Sequence, residues 1–590
     1  MNIVDPVRRK ALPAVAKAAA AVVVLLAAYV LIESATHRKA PGAAETPGPV
    51  AGELTAAGPS GDWSQWCGRQ DRNMVSGATG LPDSFEEVRG SKPRPGPLRN
   101  VKWVARLGEA IYGSPVVAGG RVYIGGCESG MGGDDAIGVL WCFRESDGAP
   151  LWKLRSPYIA KLYNRSFGIT STPTVEGDRV YLLGHLGEVL CLNAHGLAQG
   201  NSGPFKDEES LLAVGREKLK DELAPDGNRV LAYSRGTPEK LGPTDADVVW
   251  RFDMIKEVRC WPFNAQNAAL LIRGDCLYVP TCSVFDRRPH EGPTIVPPDE
   301  WKKKYHRKTY DSPNLIVLDK RTGTLLAADE TGAFEESFHG AHSSPALGRI
   351  AGRELLVWCS GRGVCYAFDP DFAARTDGKP ARLKTVWRFR CVDAATYDAN
   401  SLDKRPKQKV EIVASPVIYH NRVYVAVGND LRDAGRRAPP GRLVCIDATG
   451  TGDITATGKV WSLDDMRSSS STVAIAGGLL YAADASGMVY CIDADTGRVY
   501  WTQQTSAIWA SPLAADGKVF IPTYNSGLLV MAAGKRKRII AQSPSQSHMV
   551  SSPAVAHGVV YVANQQYLYA LQCRPAGRKS ENGTSPVSQP

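Results

Sequence analysis

One pattern recurs eight times along the chain and constrains it more than anything else. A Ser-Pro step opens an apolar alternation broken by Gly, and a Val-Tyr-Val-like segment follows. After a small turn a second apolar run ends in Asp, and most copies close with Thr-Gly or Asp-Gly and a Trp. The first copy reads SPVVAGGRVYI (114–124), VLWCFRESDG (139–148) and Trp152; the fifth reads SPVIYHNRVYV (415–425), LVCIDATG (443–450) and Trp461. The anchor aromatics Tyr481, Phe520 and Tyr561 stand 39 and 41 residues apart, so the unit is ~40 residues and longer spacings mark insertions. Alternation with period 2 is the signature of half-buried strands. A strand-only unit of this length predicts a four-stranded propeller blade.

The two ends of the repeat array complement each other. The eighth copy, SPAVAHGVVYV (552–562) with LYAL (568–571), lacks its closing Trp strand, while VKWVAR (101–106) is an orphan Trp strand ahead of the first copy. Pairing them closes a ring and removes an exposed sheet edge. The expected fold is all-β: an eight-bladed β-propeller of four-stranded blades over residues 101–573. A linear β-solenoid is the alternative, and it gives no reason for the missing strand.

Composition limits the function classes. The net charge is +10 over 590 residues, far from the charge density of a nucleic-acid-binding protein. The 13 cysteines include no Cys-x-x-Cys and no adjacent pair, which removes support for a zinc ribbon, a thioredoxin-type pair and a c-type haem. Residues 14–32, AVAKAAAAVVVLLAAYVLI, hold 18 apolar residues and Lys17, close to the ~20 needed to cross a bilayer. Arg8, Arg9 and Lys10 precede them, which places a tail of residues 1–13 in the cytoplasm by the positive-inside rule. The reading is an uncleaved signal anchor. A cleaved signal peptide is the alternative, weakened by Glu33 and His37 at the −3 positions of the nearest sites. Residues 33–60 read as a flexible linker, 61–100 as a Trp-containing leader and 574–590 as a disordered tail. The expected location is the inner membrane, single-pass, with a monomeric propeller on the periplasmic side.

The SPVV…GRVYV…CIDA.TG…W unit resembles the PQQ (pyrroloquinoline-quinone)-type repeat, shared by quinoprotein alcohol dehydrogenases and the outer-membrane assembly factor BamB. The leader WSQWCGRQDRNMVSGATGLP (63–82), with DMIKEV (253–258), HGAHSSPALG (339–348) and GND (428–430), resembles exported PQQ-like proteins of planctomycete type. The resemblance spans roughly residues 61–573 and is specific for fold, because enzymes and scaffolds share this repeat. Dehydrogenases of the family commonly carry an adjacent Cys-Cys pair, a Ca²⁺ site of Glu, Asn and Asp, and an Asp base. Cys-Cys is absent here, and no other motif identifies metal ligands or a base. The expectation is therefore a non-catalytic binding or scaffold module, BamB-like, with cell-envelope protein or polymer partners, no nucleic acid, and no cofactor. The alternative is a PQQ- and Ca-dependent quinoprotein oxidoreductase acting on an alcohol or sugar.

No catalytic or metal-binding residue is assigned. Aligning the copies on the Ser-Pro step gives one ring position, three before the Pro, occupied by Tyr112, Thr170, Asn267, His342, Val413, Ser470, Trp509 and Val550. The innermost strand of each propeller blade lines the axial channel, so these residues are candidates for its mouth. Tyr112 and Trp509 could stack a planar ligand; Asn267 and His342, with Thr170 and Ser470, could orient it. The plainer alternative is a neutral, water-filled channel. Cys142, Cys191, Cys445 and Cys491 share one strand position, read as a packing slot, and disulfides are open for Cys359 with Cys365 and for Cys276 with Cys282. Two insertions, 195–246 and 283–312, decorate the ring. The first contains EESLLAVGREKLKDEL (208–223), expected as a short amphipathic helix. The second carries WKKKYHRK (301–308), a candidate membrane or anionic-polymer contact beside its plainer reading as a solvated loop.

Overall fold

The computed structural model describes residues 61–88, 97–129, 136–157, 167–184, 186–211, 220–223, 229–232, 240–258, 260, 267–282, 313–332, 342–399, 411–428, 440–573 and 587–588. The expected membrane span (14–32), linker, second insertion and most of the C-terminal tail lie outside these residues. Among the described residues no helix is long and apolar enough to cross a membrane.

The described residues form eight antiparallel blades, seven of them with their four strands in chain order from inside to outside. Blade 1 is typical, running Val116–Ala118, Arg121–Ser129, Ile137–Arg144 and Pro150–Pro157. Neighbouring innermost strands touch around the axis, Val116–Ala118 against both Thr174–Glu176 of blade 2 and Ala554–Ala556 of blade 8. The closure expected from sequence is present: Val101–Arg106 is the outermost strand of blade 8, with Trp103 opposite Ala570 and Val104 opposite Tyr569.

The recurring residues make one packing row per blade. In blade 1 Tyr123, Cys142 and Trp152 stand side by side on three adjacent strands. Tyr181, Cys191 and Trp250 repeat this in blade 2, Tyr424, Cys445 and Trp461 in blade 5, and Tyr481, Cys491 and Trp501 in blade 6. The small thiol lets Tyr and Trp rings meet across it at 5.9–6.2 Å. Each Trp also docks on the next blade. Trp152 Nε1 donates to Ala194 O at 2.8 Å, Trp461 Nε1 to Ala494 O at 3.0 Å and Trp501 Nε1 to Gly534 O at 2.8 Å.

Two expectations need correction. The helix expected over 208–223 does not run its length: among the described residues Glu208–Leu211 is helical, and Lys220–Leu223 is instead a strand paired antiparallel with Arg229–Ala232. Gly215 weakens helix propagation in the middle of the segment, and an isolated helix this short gains little without a packed face. A Cys276–Cys282 bridge is excluded, because Cys276 opens the strand Cys276–Pro280 and Cys282 follows its end. Six residues of extended chain span roughly 20 Å, whereas bridged cysteines need Cα atoms within about 7 Å. All described cysteines are free thiols.

Candidate functional site

The axial channel has different chemistry at its two ends. At the end where innermost strands turn back, the leader fills it. The residue two after the Pro position of the repeat, in the innermost strand, is bonded to the leader in seven consecutive blades. Val117 exchanges backbone bonds with Trp63, Val175 N donates to Ser64 O, and Gln70 Nε2 donates to Ile272 O. Leu347 N donates to Gln70 O, Ile418 N to Asp71 O and Ala514 N to Met74 O, while Ile475 exchanges two bonds with the Asn73 side-chain amide. Val75–Ser76 then pairs in parallel with Leu513–Ala515 as an added strand of blade 7. Sequence reasoning singled out this leader for its tryptophans and did not place it in the channel.

Arg72 is the centre of this plug. Its guanidinium is fully buried and donates to Pro345 O (2.7 Å), Leu270 O (3.0 Å) and Trp66 O (2.8 Å), all carbonyls. Burial pulls its pKa down to about 10, and Cys67 and Asp71 oppose that shift. The same burial pushes the Cys67 thiol well up. Cys67 and Arg72 both take φ of 61°, a conformation L side chains seldom adopt, with Gly68 beside Cys67 at 68°. A Cβ on Gly68 would sit 2.5 Å from the Trp63 ring.

Beyond the plug, the Ser-Pro steps form two stacked rings of hydrogen bonds. In one, the backbone N–H of the step in six blades donates to the hydroxyl of the next blade: Ala269 to Ser344, Ser415 to Thr472, Thr472 to Ser511, Ser511 to Ser552, Ser552 to Ser114, and Ser114 to Thr172. One residue earlier the chemistry alternates. Ser171, Ser343, Ser471 and Ser551, on the even blades, donate to the carbonyls of Ala268, Ala414, Ala510 and Gly113 on the odd ones.

The candidate mouth residues come immediately before these rings. The structure gathers Tyr112, Ser470 and Trp509 into one half of the circle: Ser470 Oγ donates to Trp509 O at 3.3 Å, and Trp509 meets Tyr524 at 4.8 Å. Tyr524 in turn stacks on His548 at 3.8 Å, and Tyr112 packs edge-on against Phe167 at 5.3 Å. Burial, and then the neighbouring Tyr524 phenol, raise the Tyr112 pKa. Thr170, Asn267 and His342 occupy the other half. Thr170 and His342 are buried, and Asn267 is exposed. Thr170 Oγ1 and Trp509 Nε1 have no hydrogen-bond partner among the described residues. Tyr524, His548 and Phe167 escaped the sequence reading because they fall at different offsets from the Ser-Pro step, and only one offset was aligned.

Three comparisons bear on this arrangement. The family model described as outer membrane protein assembly factor BamB matches residues 392–503. Among solved structures, BamB from Moraxella catarrhalis is similar at 12% identity, covering 81% of this chain and 98% of its own, with TM-score 0.45. Quinohemoprotein alcohol dehydrogenase from Comamonas testosteroni is similar at 13% identity, covering 90% and 83%, with TM-score 0.41. No curated protein matches the sequence.

Proposed function

We propose that this chain, a β-propeller of PQQ-like repeats, acts as a non-catalytic binding scaffold of the cell envelope, held to the membrane by residues 14–32. The observation that carries the reading is the aromatic contacts made by the candidate mouth residues. Tyr112 packs on Phe167 and Trp509 on Tyr524, which stacks on His548, and the aligned ring position supplies no carboxylate. Aromatic side chains offer large, rigid contact area at low entropic cost, which suits recognition.

A quinone with calcium, the group this repeat family implies, needs a different donor set. Calcium takes six to eight oxygen ligands, carboxylates prominent among them. Among the described residues no group of three or more His, Cys, Asp or Glu is arranged to hold a metal ion. The aligned mouth position, Tyr112, Thr170, Asn267, His342, Val413, Ser470, Trp509 and Val550, supplies no carboxylate to such a donor set, and no catalytic step is assigned.

The test is calorimetric titration of the full chain with PQQ, with and without Ca²⁺, beside affinity capture from envelope extracts using the wild type and Trp509→Ala. The scaffold reading expects no quinone binding at ~100 µM, well above any useful cofactor affinity, and an envelope protein captured by the wild type but lost with Trp509→Ala. Tight, Ca²⁺-dependent quinone binding would replace it with the oxidoreductase reading.

A further inference from the structure

The outermost strand of a propeller blade leaves one row of backbone groups facing solvent, an edge that natural sheets cover or charge. This chain covers its edges with its own extended segments. In blade 1, Lys153 N donates to Thr244 O and its carbonyl accepts from Ala246 N, both at 3.0 Å. Ala381–Arg382 pairs with Leu325–Ala328 of blade 3, Gly452–Asp453 with Thr385–Arg390 of blade 4, and Val587–Ser588 with Val101–Arg106 of blade 8. All four covers, the Lys153 to Asp245 bridge included, run parallel to the strand they cover. In blade 2 Phe205 N donates to Val249 O, and in blade 6 the Lys537 ammonium donates to Thr502 O.

Blades 5 and 7 have no such cover among the described residues. The two large hydrophobic side chains that stand exposed there are Val460 (39%) on blade 5 and Ile539 (48%) on blade 7, and no other described residue of that kind is exposed. The blade 7 edge is also strongly charged. Lys535, Arg536, Lys537 and Arg538 are all exposed and lead directly into its outermost strand, Ile539–Ser543. Gln542 holds the register that Lys153 holds in blade 1: it stands opposite Leu529 as Lys153 stands opposite Trp141. Its outward N–H and C=O thus occupy the place where a cover would bond.

We propose that the Ile539–Ser543 edge of blade 7 is a docking strand for an extended acidic segment of a partner protein, added in parallel as the chain's own covers are added elsewhere. Main-chain bonds at Gln542 supply affinity, an apolar side chain of the partner covers Ile539, and carboxylates meet the Lys535–Arg538 run. This surface is separate from the channel mouth and stands or falls independently of it.

The probe is a fluorescent ten-residue peptide alternating Ile and Glu, titrated by anisotropy into the full chain against a poly-Glu peptide of equal charge and an Ile/Lys counterpart. The alternating acidic peptide should bind at least tenfold more tightly than either control. Gln542→Pro, which removes the outward N–H at an edge position where proline is tolerated, should weaken it about tenfold or more. Lys535→Glu with Arg536→Glu should do the same through charge, and circular dichroism of each variant reports whether it remains folded. As a check independent of folding variants, the Gln542 amide should gain hydrogen-exchange protection when the peptide is added to wild type. Equal binding of poly-Glu, or an unprotected Gln542 amide in the presence of saturating peptide, overturns the proposal.

Discussion

The indole of Trp103 lies on Gly148, and its Nε1 donates to the carbonyl of Glu145 at 2.8 Å, so the first strand of the propeller, which completes blade 8, is locked to blade 1. A Cβ on Gly148 would sit 2.6 Å from the indole, and its φ of 74° disfavours any L side chain. The same arrangement recurs where Trp250 meets Gly323 and Trp461 meets Gly497.

The ring closure depends on this contact. Gly148→Ala should lower stability by about 2 kcal/mol or more, and Trp103→Ala by about 3–5 kcal/mol as a large buried side chain is lost. Urea denaturation of the full-length variants checks both. Gly119→Ala, at φ of 58° but with open space around it, should cost less because only backbone strain is added. Equal losses at the two glycines would show that packing against the indole contributes nothing.

How much of this was legible follows from what repeats. The blades, their closure by residues 101–106 and the Tyr, Cys and Trp rows come from period-2 alternation recurring every ~40 residues, a signal that survives eightfold averaging. The leader occurs once. Nothing in WSQWCGRQDRNMV reveals that a guanidinium would be satisfied by carbonyls from residues about 200 and 270 positions away. The mouth is equally non-local: Trp509, Tyr524 and His548 meet through the turns that the fold brings together, at offsets no single alignment column contains. The 208–223 segment has a helical apolar period, yet its described residues are a single helical turn, Glu208–Leu211, and a strand, Lys220–Leu223.

Arg72 should be the most sensitive position of the leader. Arg72→Ala leaves the Pro345 and Trp66 carbonyls without this donor inside the plug, while Leu270 O keeps the Thr174 hydroxyl, and unsatisfied buried acceptors cost about 1–3 kcal/mol each. A loss of about 3–5 kcal/mol is expected, with Arg72→Lys recovering part of it because an ammonium can reach fewer of the three. Limited proteolysis around residues 61–76 gives a local readout: the alanine variant should be cut there while the blades stay resistant. Resistance equal to wild type would mean the leader is held without its central cation.

The alternation of serine on even blades makes four independent experiments on one bond. Ser171→Ala, Ser343→Ala, Ser471→Ala and Ser551→Ala each remove a donor 2.8–3.0 Å from a carbonyl of the following blade. Each should cost about 1 kcal/mol, and the costs should add, since the sites share no partner. A quadruple variant no less stable than any single one would show that water replaces the hydroxyls.

Glu188 gives the protein a pH dependence of definite sign. The side chain is buried, 1% exposed, and its Oε2 has no partner among the described residues. Desolvation raises its pKa from 4.5 to about 7, against the pull of Arg251 and with a push from Asp253. The folded state therefore binds a proton more tightly than the unfolded chain. The stability this contributes is fully present below pH 4.5, falls as pH rises, and is lost above about 7. A shift of this size corresponds to about 3 kcal/mol between the two ends of the window. Glu188→Gln keeps the shape and carries no charge, so its stability relative to wild type should grow steadily from pH 5 to pH 8. Differential scanning calorimetry at pH 5, 6, 7 and 8 reads the effect as a widening gap of a few degrees in Tm, with the variant the higher-melting protein at pH 8. The comparison cancels the other buried carboxylates, Asp329 and Glu208 among them, whose pKa values burial also raises. A gap that stays constant across the four pH values would mean that Glu188 is ionised throughout, held by Arg251 despite its burial.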